Sequence, residues 1–63
     1  MEDKKKQLLL ALKRNNGKID EGTIGASIGL SEKELDQALT ELVDEGKLEF
    51  QSFGVCSYRV TWR

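Results

Sequence analysis

The stretch Gly29-Leu30-Ser31-Glu32-Lys33-Glu34-Leu35 constrains this chain more than any other. Glycine at position 29 supplies the positive φ that closes a helix. Two residues on, Ser31 can cap a new helix, and Glu34 completes an S-x-x-E capping box three residues later. Leu35, Ala38, Leu39 and Leu42 recur at the spacing of one buried helical face, and Gly46 stands where that helix should stop. The stretch therefore predicts a short helix, a glycine corner and a longer helix over roughly residues 31–45. At 100° per residue, Lys33, Gln37, Thr40 and Asp44 fall opposite the leucines, with Asp36 and Glu41 flanking them.

The residues before the corner predict two further helices. The first runs from about Asp3 to Asn15, with Leu8, Leu9 and Leu12 on one face. Leu10 falls off that stripe, as a partly covered flank or an exposed contact. Asn15-Asn16-Gly17 ends the helix, because Asn and Gly tolerate the left-handed conformation. Lys18-Ile19-Asp20 reads as an extended link in which Ile19 enters the core as a one- or two-residue strand and Asp20 caps the second helix. That helix covers about Glu21 to Ile28. Gly22 and Gly25 weaken it by about 1 kcal/mol each relative to alanine. At Gly25 the expected reason is close approach of the third helix.

After Gly46 the apolar period changes from 3.6 to 2. Leu48 and Phe50, then Cys56, Tyr58, Val60 and Trp62, alternate with polar residues, which predicts two strands. A three-residue loop, Ser52-Phe53-Gly54, pairs Phe50 with Cys56 and Leu48 with Tyr58, so that the even-numbered residues share a buried face. Trp62 is expected to cover the first helix, and Cys56 to be a packed thiol rather than a redox sensor. The fold class is α+β, mainly α: three helices followed by a two-stranded β-hairpin, in one domain over 1–63.

Composition bears on chemistry more than on fold. The chain has 63 residues, no histidine, no proline and one cysteine. Disulfides and a protein-built metal site are not expected, and no nucleophile pair or phosphate-cradling glycine loop is present. Binding rather than catalysis is the expectation, with no cofactor. A single thiol and a charged N-terminus without a signal-peptide core suggest a reducing, cytoplasmic setting away from membranes.

Five groups of residues carry a family resemblance: Leu9-x-x-Leu12, Ile24-Gly25-Ala26-x-Ile28-Gly29-Leu30-Ser31, Leu35-x-x-Ala38-Leu39-x-x-Leu42, Glu45-Gly46-Lys47-Leu48, and Tyr58-x-Val60-Thr61. They resemble the winged helix-turn-helix superfamily of small bacterial and archaeal transcription regulators. The run from Thr40 to Gly54 is also similar to the small D protein of dissimilatory sulfite reductase operons. The superfamily resemblance implies a stand-alone module that binds double-stranded DNA, with the third helix in the major groove. It would place Ser31, Lys33, Gln37 and Thr40 at reading positions and the Ser52-Phe53-Gly54 tip on the neighbouring backbone. Lys13, Lys18 and Arg59 are the expected phosphate contacts, and a homodimer is expected because one copy offers little basic surface.

Charge patterning argues the other way. Residues 1–18 carry a net +4, residues 19–46 a net −7 and residues 47–63 a net +2. DNA affinity comes mainly from cations that displace phosphate counterions, and a helix with six acids against Lys33 opposes that. The alternative is a protein-binding adaptor that uses Asp36, Glu41 and Asp44 on the third helix together with Phe53 at the hairpin tip. The lysine run of the first helix, and the pair Gln37 and Thr40, also fit plain solvated surface.

Overall fold

The structure is a computed structural model, and it describes residues 2–61. Three helices, α1 (Glu2–Asn15), α2 (Glu21–Ser27) and α3 (Glu32–Asp44), precede strands β1 (Leu48–Phe50) and β2 (Tyr58–Val60). The strands pair antiparallel.

Each helix begins or ends where its local chemistry directs. Asp20 caps α2 by accepting from the Thr23 N–H at 3.0 Å and the Thr23 hydroxyl at 2.8 Å. At α3 both halves of the capping box form: the Glu34 N–H donates to Ser31 Oγ at 3.2 Å and the Ser31 N–H to Glu34 Oε1 at 3.0 Å. Asn16 at φ 51° and Gly17 at φ 79° unwind the end of α1, and Gly46 at φ 76° closes α3. The N-terminal half of α1 reaches back to the corner between the other helices, where Lys4 Nζ donates to the Ile28 carbonyl at 2.7 Å.

The core gathers Leu8, Leu9 and Leu12 from α1, Ile24 from α2, Leu30 from the corner, and Ala38, Leu39 and Leu42 from α3. Leu48 and Cys56 close it from the hairpin. Gly25 is buried, and a β-carbon placed there would sit 2.8 Å from Leu35 Cδ1, so α2 and α3 approach through the missing side chain. Lys5 joins the apolar stripe of α1 despite its charge, at 6% exposure. Its ammonium donates to Glu41 Oε1 at 3.1 Å and to Glu45 Oε2 at 2.6 Å, which ties α1 to the last turn of α3.

Three expectations are corrected. Ile19 forms no strand and is 39% exposed, because capping by Asp20 starts α2 before the link can turn inward. The hairpin register is Leu48↔Val60, Glu49↔Arg59 and Phe50↔Tyr58, two residues away from the three-residue-loop pairing. Gln51 fastens the shifted register at the loop: its N–H donates to the Ser57 carbonyl and its side-chain amide to the Cys56 carbonyl, both at 2.8 Å. The loop is therefore longer than Ser52-Phe53-Gly54, although Gly54 does take a positive φ of 88°. A shift of two leaves every side chain on its face, so Leu48, Cys56, Tyr58 and Val60 still point toward the core. Phe50 shares their parity but lies 68% exposed, where the core has run out. Trp62 lies outside the described residues.

Candidate interaction surface

The outer face of α3 is polar and exposed along Glu32, Lys33, Asp36, Gln37, Thr40 and Asp44. Of the expected base-reading positions, Ser31 uses its hydroxyl for the helix cap, and Gln37 Nε2 donates to Glu41 Oε2 at 3.2 Å. Lys33 and Thr40 stand exposed on the same face.

Several cations are engaged within the chain. Lys4 holds the end of α2, Lys5 is buried between Glu41 and Glu45, and Lys47 Nζ lies 3.2 Å from Glu45 Oε1. Arg59 pairs across the hairpin with Glu49 at 2.5 Å, both side chains largely solvated. The Lys5 bond, first, holds the Glu41 and Glu45 carboxyls below the ordinary glutamate range; Gln37 adds to the effect at Glu41 and Lys47 at Glu45. Glu41 thus holds helices together as well as charging α3, whereas Asp36 and Asp44 lie on open surface. Sequence reasoning overlooked Lys5, although it sits three and four residues before Leu8 and Leu9, on the stripe that packs.

Lys13 and Arg59 do come together, in the walls of a cleft of about 260 Å³ that Asn16, Gln51 and Tyr58 also line. Lys18 is exposed in the turn before α2 and is not part of that wall.

The hairpin offers a different surface. Phe53 is 76% exposed and Val55 62%, and with Phe50 they leave an apolar stretch in a segment, residues 50–57, that contains no lysine or arginine. Phe50 meets Tyr58 edge-on, with ring centroids 5.8 Å apart at 81°. Burial pushes the Tyr58 hydroxyl pKa up, and the charges of Glu21 and Asp36 push it further. Glu21 is held there because the Ser57 N–H donates to its Oε1 at 3.0 Å. The Cys56 thiol is also raised, chiefly by its burial.

Among the described residues no group of three or more His, Cys, Asp or Glu is placed to hold a metal, and no helix is long and apolar enough to cross a membrane. Three helices followed by an antiparallel hairpin define a winged-helix-like fold. No protein-family model matches the chain, and no curated protein or solved structure does so either.

Proposed function

We propose that this chain is a protein-binding module that presents the apolar end of its hairpin and the acidic outer face of α3. The exposure of Phe50, Phe53 and Val55 carries the reading. Two phenylalanine rings and a valine stand mostly uncovered within six residues of chain, and exposed apolar side chains gathered in one segment mark interaction sites more often than single ones do. A wing that touched DNA phosphates would gain from cations, and residues 50–57 supply none.

A photo-crosslinking residue at position 53 tests this in cells. The expected result is one discrete protein adduct, lost when Phe50 is changed to Ser and kept when Lys18 is changed to Glu. A diffuse set of adducts indifferent to Phe50→Ser would refute it.

The second reading is a double-stranded-DNA-binding regulator. It draws on Lys13, Arg14 and Lys18, all exposed around the end of α1, and on Lys33 on the outer face of α3. Its mark would be duplex affinity that falls steeply with salt, with Lys18→Ala lowering the slope by about one ion.

A further inference from the structure

Resting on the protein-binding reading, we propose that the Phe50–Tyr58 end of the hairpin docks an arginine- and lysine-bearing segment of a partner protein, with one cation lying over the exposed Phe50 ring. The place is where a sheet face passes from core to solvent. Leu48 and Cys56 are buried, Tyr58 is half-buried and Phe50 is mostly uncovered. Cations associate with aromatic faces, and a planar guanidinium does so better than an ammonium.

Charge selects the occupant. Glu21 reaches this end of the hairpin through its bond from the Ser57 N–H, with Asp20 beside it in sequence. Asp36 comes from the outer face of α3, and its charge acts on the Tyr58 hydroxyl together with that of Glu21. Carboxylates from two helices thus act on the Tyr58 side of the aromatic pair, and both belong to a stretch of chain, residues 19–46, that carries a net −7. Lys13 and Arg59 also border Tyr58 through the cleft, and Arg59 is matched by Glu49. An acidic or purely apolar segment would leave the charges of Glu21 and Asp36 unanswered. A basic segment answers them and uses the ring as well.

The probes are three fluorescent peptides of equal length and spacing, bearing Arg, Lys or Glu, titrated against the full chain by anisotropy. The Arg peptide should bind tightest, the Lys peptide more weakly and the Glu peptide not at all, with affinity falling as salt rises. Phe50→Leu keeps the apolar bulk but removes the ring, and should weaken the Arg peptide by about two- to five-fold. Asp36→Asn should weaken both basic peptides. Far-UV circular dichroism confirms that both exposed-site variants remain folded. Equal binding of Arg and Glu peptides, or an Arg peptide indifferent to Phe50→Leu, overturns the inference. If no basic peptide binds while a Phe50-dependent adduct still forms from position 53, the basic-segment inference falls and the protein-binding reading stands. If neither occurs, both fall.

Discussion

Replacing Gly25 with alanine sets two known effects against each other. In an exposed helix the change stabilises by about 1 kcal/mol, since glycine carries the larger backbone entropy cost. Here the new β-carbon would meet Leu35 at three atoms: Cδ1 at 2.8 Å, Cδ2 at 3.1 Å and Cγ at 3.3 Å. The two methyls could swing aside, but Cγ moves only if the whole side chain leaves the α2–α3 contact or the helices separate. Overpacking of this kind costs about 1–3 kcal/mol. The net expectation for Gly25→Ala is a loss of about 1 kcal/mol, a drop in Tm of roughly 4–8 °C for a domain this size. Urea unfolding followed by far-UV circular dichroism measures it. The Leu35→Ala background should remove the clash and restore alanine's advantage, giving a coupling between the sites of about 1–2 kcal/mol. A Gly25→Ala variant that is stabilised by about 1 kcal/mol in the presence of Leu35 would falsify the claim that the helices touch through this glycine.

Three more outcomes rest on the same set of contacts. Ser31→Ala removes one half of the α3 capping box and should cost about 1 kcal/mol in a urea titration, with Ser31→Asp close to neutral. Glu41 and Glu45 have folded pKa values below the ordinary glutamate value of 4.5, so their contribution is present above that value and is lost as pH falls through the depressed folded values. The urea midpoint should therefore drop on acidification below about pH 4.5, and the drop should be smaller in Lys5→Met. The Cys56 thiol is 1% exposed with a raised pKa; Ellman's reagent at neutral pH should label it only as fast as the domain opens, and rapidly in urea.

The helical part of this fold is legible because its signals are local. A serine with a glutamate three residues on, a glycine after the last leucine, and Asp20 before α2 each act within one turn, and all three form as read. What the sequence concealed depends on contacts distant along the chain. The observed hairpin register carries a Gln51 bond across the loop that alternation does not reveal, and parity survived only because the slip was even. Lys5 read as surface because a charged residue rarely enters a stripe of leucines; its burial depends on two glutamates one turn apart on a helix 36 and 40 positions away. Phe50 read as core because alternation gives the face of a strand and not how far the core extends beneath it. For the surface, the exposure of Phe53 and Asp36 was legible from their parity and helical phase, whereas the ring contact of Phe50 with Tyr58 and the reach of Glu21 to Ser57 appeared only in three dimensions.

The central question is whether this chain meets a protein through its hairpin or phosphates through α3 and the end of α1. Amide chemical shifts of the isotopically labelled chain, recorded while a short DNA duplex is added at about 50 mM salt, distinguish the two most directly. A protein-binding hairpin predicts no saturable change at Lys13, Lys18, Lys33 or Thr40 up to a several-fold excess of duplex. Saturable shifts along α3 and at Lys13 and Lys18, reversed by raising the salt, would contradict it.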